Sequence, residues 1–233
     1  MMQINQSSWY LWGREFPLYT AIPIAGMVVA VVLNSILAKR RGLDPSFVFR
    51  VSLPIYFAFL LGQMMQDSVP QSLLLFFYPV AVFGIPVAFG LVGRLLGKNS
   101  AALQDLGVIL VLVFAMAARL GCFFAGCCHG VPWDHFGSVV YGSNTHCPMW
   151  GTPLFPLQLV SALLIALLLL GAIGMFLKGR RLWTVAAWLL VVYYTHLWLS
   201  PYNTADAMTV VLLGASVIAV PVTVLIRKLR LQK

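Results

Sequence analysis

Long apolar runs alternate with short polar breaks along the whole chain. The runs occupy 18–38, 49–65, 72–96, 106–124, 157–177, 182–199 and 208–226. Each is close to the roughly 20 residues that an α-helix needs to cross the hydrocarbon core of a bilayer, where backbone amides must find their partners within the segment. The pattern predicts an all-α fold, a polytopic transmembrane helical bundle of about seven spans. The second span is the weakest, because Arg50 and Pro54 fall inside it. Pro54, Pro79, Pro86 and Pro221 lie within runs and predict kinks that neighbouring helices must repair. Only one polar connection is long, and it is expected to be an outer loop at about 131–156 on a single integral membrane domain covering 1–233.

Composition agrees with this picture and removes alternatives. Of 233 residues, 61% are hydrophobic and 9% charged, and the mean hydropathy is +0.92. A soluble domain carries about half apolar and a quarter charged residues, so a water-soluble fold is excluded. The net charge of +9 raises the question of nucleic acid. Its Lys and Arg residues, however, sit in short runs between apolar segments and form no basic stripe with interleaved aromatics, so no nucleic-acid partner is expected. Lys39, Arg40, Arg41 and Arg50, then Arg94 and Lys98, then Lys178, Arg180 and Arg181, then Arg227, Lys228, Arg230 and Lys233 occupy alternate connections. The opposite connections hold Asp67, Asp134 with His135 and His146, and Asp206. Lys and Arg favour short cytoplasmic loops, which predicts an outer N-terminus, a cytoplasmic C-terminus and an odd number of spans. The polar start through Glu15 lacks a basic leader region, so the first span is expected to stay as an anchor. No internal repeat supports a transporter built from inverted halves.

Reactive groups are concentrated where the fourth span ends, in Arg119-Leu120-Gly121-Cys122-Phe123-Phe124-Ala125-Gly126-Cys127-Cys128-His129-Gly130. Arg119 follows a long apolar stretch, and a charge at that depth costs upward of about 2.5 kcal/mol unless it is paired or wetted. A lipid phosphate suits a planar guanidinium, which offers paired donors to phosphate oxygens. The competing reading is an ion pair with Asp105 on the same span. A helical offset of seven places Gly126 on the face of Arg119, as part of one expected cavity.

The run resembles the signature of the prolipoprotein diacylglyceryl transferase family, R-x-G-x-F-x-x-G-x-x-x-G, through Arg119, Gly121, Phe123, Gly126 and Gly130. Asp105 resembles the aspartate that opens the same helix in the family. Pro156, Gln158 and Leu159 resemble a motif opening the next span, and Tyr19 resembles an early tyrosine. Cys122 stands in place of the family's asparagine, as in members with a G-C-F-x-x-G-C-C pattern; Phe155 stands in place of a histidine, and Val160-Ser161 in place of a tyrosine-glutamate pair. The resemblance implies a multi-pass enzyme of a bacterial cytoplasmic (inner) membrane. Such an enzyme moves the diacylglyceryl group of phosphatidylglycerol to a cysteine thiol of a prelipoprotein, with membrane phospholipid and prelipoprotein as partners and no cofactor. It implies lipid or phosphate binding at Arg119, Gly121, Gly126, Gly130, Gln158 and Tyr19.

Catalytic candidates are Arg119, His129 as a general base, and His196. His196 reads either as an interfacial polar residue in an aromatic belt or as a second group on the phosphate opposite Arg119. The four cysteines Cys122, Cys127, Cys128 and Cys147 leave three readings open. Cys147 paired with Cys127 or Cys128 would close a loop of about twenty residues, worth roughly 3 kcal/mol. A metal site could draw on Cys127, Cys128, His129, His146 and Cys147. A thiol could instead take part in transfer. The loop from 131 to 153 reads as a lid kept pliable by Gly137, Gly142 and Gly151, with Trp133, Phe136 and Trp150 against the membrane surface. The alternative function keeps the fold and drops lipidation: a divergent relative that binds lipid or performs thiol or metal chemistry at the outer face.

Overall fold

The computed structural model describes residues 1–5, 8–11, 14–64 and 71–199. Asp67, the loop 200–206 with Asp206, and the expected seventh span at 208–226 lie outside them. Six helices carry the described fold: α1 Leu18–Arg40, α2 Pro45–Met64, α3 Gln71–Leu95, α4 Ser100–Ala125, α5 Leu157–Leu177 and α6 Trp183–Leu199. They fall on the first six apolar runs. The largest shift is α4, which starts six residues early, because the Asn99 side chain accepts a hydrogen bond from the Ala102 amide at 3.0 Å and caps the helix there. Among the described residues, three helices, α1, α4 and α5, are long and apolar enough to cross a membrane.

The central helix is α4. Of its most apolar stretch 83% is buried, against 39% for α1 and 33% for α5. It packs on α1, α3 and α5 and touches α2 and α6. Large apolar side chains such as Val28, Val32, Ile36, Leu163, Leu167 and Leu170 face outward on α1 and α5. In water these would form an aggregation-prone surface, whereas in a bilayer they meet lipid tails. Association of the helices then rests on close packing and on polar ties. Asn34 Nδ2 donates to the Leu106 carbonyl at 3.1 Å, and the Tyr56 hydroxyl donates to the Pro23 carbonyl at 3.0 Å.

Both ends of the bundle are tied by side chains. At one end Arg41 Nη1 donates to the Phe176 carbonyl at 2.9 Å, joining the last turn of α1 to the last turn of α5, and its guanidinium lies over the Phe176 ring. At the same end Asp105 Oδ1 accepts from Arg181 Nε and from the Leu182 amide, each at 3.1 Å. Arg181 also donates to Gln104 Oε1. The opposite end holds the ends of α4 and α6 and the start of α5.

That opposite end departs from a purely helical expectation. Five short strands, β1 Met2–Ile4, β2 Ser8–Leu11, β3 Arg14–Pro17, β4 Val139–Tyr141 and β5 Pro153–Leu154, form two small sheets. β1 pairs parallel with β4 in the register Met2↔Val139, and β4 pairs antiparallel with β5. β2 and β3 form an antiparallel hairpin. The expected pliable lid is instead a packed cap, because Ile4, Phe123, Val139, Tyr141, Cys147 and Leu154 bury a core of their own over the end of α4. Gly137 and Gly151 take left-handed turn conformations with φ of 85° and 77°, so they shape this cap and do not loosen it. Trp133, Phe136 and Trp150 are exposed on it.

Candidate functional site

The site is assembled where α4 stops. Gly126 adopts a left-handed φ of 81° and donates its amide to the Cys122 carbonyl at 2.9 Å, which ends the helix. The space beside Gly126, expected to line a cavity with Arg119, is filled by Cys147 and Tyr141 of the cap. Two residues on, Cys128 has a φ of 54°, alone among the described non-glycine residues in that region. A side chain in this conformation costs about 1–2 kcal/mol. Two left-handed residues so close together turn the chain back over the last helical turn, and the Cys127 and Cys128 side chains return to Cys122. The sulfur atoms of Cys122, Cys127 and Cys128 all lie within 4.8 Å of one another. Cys127 Sγ lies 3.8 Å from the Cys122 carbonyl oxygen. All four cysteines are free thiols. Cys147 is buried in the cap core, where burial pushes its thiol up in pKa.

Arg119 is one turn back from Cys122 and only 7% exposed. Its guanidinium carbon lies 5.5 Å from the centre of the Tyr193 ring on α6, a cation–π contact worth about 0.5–2 kcal/mol. Asp105, the carboxylate expected to compete for Arg119, is engaged with Arg181 and Leu182 at the other end of α4. His196 on α6 is 2% exposed, and its Nδ1 lies 2.8 Å from the Ser161 hydroxyl on α5. The Cys122 and Cys127 thiols hold the Cys128 thiol well below the usual range, with help from His196 and from the Arg119 guanidinium and against the cost of burial.

Gln158, in the first turn of α5, donates through Nε2 to the Cys127 carbonyl at 2.7 Å and to the Tyr141 hydroxyl at 3.4 Å. It fixes the peptide that carries the thiols and joins the turn to the cap. Burial raises the Tyr141 hydroxyl well above the usual phenol range, so it stays neutral. His129 is buried with Nδ1 at 2.8 Å from the Gly130 carbonyl, so that nitrogen is turned to the adjoining backbone. His146 is exposed on the cap, and its amide donates to the Ala125 carbonyl on α4 at 2.8 Å. Among the described residues, the ligand-distance group is thus Cys122, Cys127 and Cys128, without the His129, His146 and Cys147 of the sequence expectation.

The three signature glycines let chains approach. A Cβ on Gly121 would lie 3.2 Å from the Tyr19 carbonyl oxygen on α1. Pro23 has no N–H to offer that carbonyl, and the missing side chain of Gly121 lets this part of α1 come against α4. A Cβ on Gly126 would lie 3.0 Å from Cys147 Cβ, and one on Gly130 would lie 2.7 Å from the Phe155 carbonyl oxygen. Their open faces are filled by protein.

Beside Ser161 and His196, α5 and α6 enclose an apolar cavity of about 490 Å³, lined among others by Leu157, Val160, Leu164, Leu168 and Val192. Leu164, Leu167 and Trp188 on its rim are exposed. Ser161 and Tyr193 were not singled out as site residues from the sequence. Ser161 had a readable signal, since it lies three residues after Gln158 and therefore one turn above it on one face of α5. Tyr193 had none, because its role depends on how α6 docks on α4.

Comparison with known proteins agrees with the motif. The phosphatidylglycerol–prolipoprotein diacylglyceryl transferase of Clostridium tetani (strain Massachusetts / E88) is 23% identical over 197 residues, covering 78% of each chain. The phosphatidylglycerol–prolipoprotein diacylglyceryl transferase 2 of Clostridium perfringens (strain 13 / Type A) is 24% identical over 167 residues, covering 66% of this chain and 65% of that relative. With Arg119 and the three glycines clustered at the end of a buried helix, and with the prolipoprotein diacylglyceryl transferase family model matching residues 74–226, the chain belongs to that family.

Proposed function

We propose that this protein is a membrane transferase that moves a diacylglyceryl group from phosphatidylglycerol to the cysteine thiol of a prelipoprotein, as the names of its relatives state for those proteins. The observation that carries the reading is Arg119. A guanidinium buried near the end of the central helix, over the Tyr193 ring, lies at one end of the bundle close to an apolar cavity whose rim faces outward. In the proposed reaction the acceptor thiolate attacks the glyceryl carbon and its C–O bond to phosphate breaks. The departing glycerol phosphate carries its charge to Arg119, and preorganised cations aimed at such developing charge commonly supply several kcal/mol. The cavity between α5 and α6 takes acyl chain. His129 is the candidate to receive the thiol proton, through the ring nitrogen not turned to Gly130. The cap end faces outward and the end bearing Lys39, Arg40, Arg41, Arg180 and Arg181 faces the cytoplasm, in keeping with the bias of basic residues.

Arg119→Ala should reduce lipidation of a reporter prelipoprotein in membranes containing labelled phosphatidylglycerol by at least about a hundredfold, the cost of removing one group that stabilises transition-state charge. Arg119→Lys should retain a small fraction. An unchanged rate in Arg119→Ala would remove the guanidinium from the mechanism.

The grouping of Cys122, Cys127 and Cys128 favours a second reading, a relative that keeps the fold and performs thiol or metal chemistry. Rescue of a strain depleted of its own prolipoprotein transferase supports the first reading, and failure of rescue by well-expressed protein supports the second.

A further inference from the structure

The structure holds one group of side chains that the lipid-transfer reading leaves unused. We propose that Cys122, Cys127 and Cys128 bind a thiophilic d10 metal ion, Zn(II) or Cu(I), with His196, which lies beside Cys128 but outside the 4.8 Å sulfur group, closing on the ion as the fourth donor. The inference stands apart from the transferase reading, and it reassigns only His196, from a companion of Arg119 on phosphate to a ligand of the metal.

Three independent features carry it. The first is the sulfur geometry: three thiols from residues 122, 127 and 128 converge within 4.8 Å, and the backbone is held in two left-handed conformations to bring them there. Gly126 takes that conformation freely, but at Cys128 it is strained, and such strain persists only where surrounding structure enforces it and gathers at functional sites. Thiolate sets of this kind select soft ions, and three cysteines with one histidine form a recognised tetrahedral zinc set.

The second is His196. Its Nδ1 is held by the Ser161 hydroxyl at 2.8 Å, while its Nε2 is buried and has no hydrogen-bond partner among the described residues. With the proton on Nδ1 donated to Ser161 Oγ, Nε2 carries a lone pair. Metal-binding histidines are held in this way, with one nitrogen on a polar partner and the other on the ion. The His196 ring stands beside Cys128 at the edge of the sulfur group.

The third is charge. Three thiolates around Zn(II) leave one negative charge, and the buried Arg119 guanidinium stands within electrostatic reach of Cys127 and Cys128 to balance it. Three thiolates this close together without an ion would have no comparable compensation. Gln158, which holds the Cys127 carbonyl at 2.7 Å, fixes the turn that presents the ligands.

The test uses the full chain purified in detergent, kept reduced and free of oxygen, and titrated separately with Zn(II) and with Cu(I) against a chromophoric chelator. One equivalent of ion per chain is expected. In a Cys147→Ser background, bound ion should protect all the remaining thiols from alkylation, read by intact mass. Cys127→Ser and Cys128→Ser, at partly exposed positions that tolerate a hydroxyl, should each lower affinity by at least about a hundredfold. Ser161→Ala, which removes no ligand, should lower it by about tenfold, the usual effect of losing a group that orients a metal-bound histidine. Preference for Zn(II) over Cu(I) should fall in His196→Ala, because three sulfurs alone satisfy Cu(I). The proposal is overturned if the reduced protein binds neither ion, or if the Cys127→Ser/Cys128→Ser double variant binds as well as the parent. It is equally overturned if the ion binds while the thiols stay fully alkylated. Metal binding lost in the Cys127→Ser/Cys128→Ser double variant while lipidation is retained separates the two readings.

Discussion

At the scale of single residues, the chain uses absence as much as presence. Gly121, Gly126 and Gly130 are the glycines of the family signature, and each leaves room for other protein atoms: the Tyr19 backbone on α1, the Cys147 side chain, and the Phe155 backbone. Gly130→Ala should therefore destabilise the protein by about 1–3 kcal/mol, the usual cost of forcing volume into a packed site. Gly171 on α5 has nothing within 4 Å of its would-be Cβ, so Gly171→Ala should be neutral or gain up to about 1 kcal/mol from helix propensity. Thermal unfolding in detergent checks both, and equal melting temperatures for the two variants would refute the packing role of Gly130. Arg119 illustrates presence: its type and depth are legible in the chain, but its neighbours Tyr193 and His196 are more than seventy residues away and only helix docking brings them close.

Among the elements, α4 organises the rest and α6 depends on it for its start. Asp105, nearly fully buried on α4, accepts from the Leu182 amide at the entry to α6 and from Arg181 beside it. It caps a neighbouring helix from outside, so its carboxylate satisfies an amide that would otherwise lack a partner. Asp105→Ala is expected to cost about 1–3 kcal/mol, because it orphans buried donors. Arg181→Ala should cost less, since that side chain is 36% exposed and water screens the loss. A double-mutant cycle on unfolding temperature measures the pair, and additive effects would show that Asp105 acts through Leu182 alone. The aspartate resembles a family feature, and the structure supplies its physical reason.

For the molecule as a whole, the bundle is closed at the thiol-bearing end by a cap that the N-terminal strand completes. β1 adds an edge to β4, with the Gly142 amide donating to the Ile4 carbonyl at 2.8 Å and the Met2 amide to the Ser138 carbonyl at 3.0 Å. Removing residues 1–5 should strip Ile4 from the cap core and speed hydrogen exchange at Gly142, with the amides in the middle of α4 unchanged. Protection at Gly142 equal to that of the full chain would show that the cap holds without β1.

Helices and their approximate bounds are written in the linear order of residues, because a bilayer-spanning segment must satisfy its backbone locally and present apolar side chains over a fixed length. The density of Arg119, the signature glycines and Cys122, Cys127 and Cys128 is equally plain, since they fall within one run of twelve residues. Contacts between distant segments were not legible in this way. The pairing of Met2 with Val139, the hold of Ser161 on His196 and the placement of Asp105 against Leu182 each join residues far apart in the chain. Convergence of Cys122 with Cys127 and Cys128 is short-range, yet it depends on two left-handed residues, one of them a cysteine that gives no sequence sign of that conformation. Local pattern decides which segments are helices, because helix formation and burial depend on near neighbours. Which side chains form a site is decided by how those helices dock, because docking depends on the shapes of all their faces together.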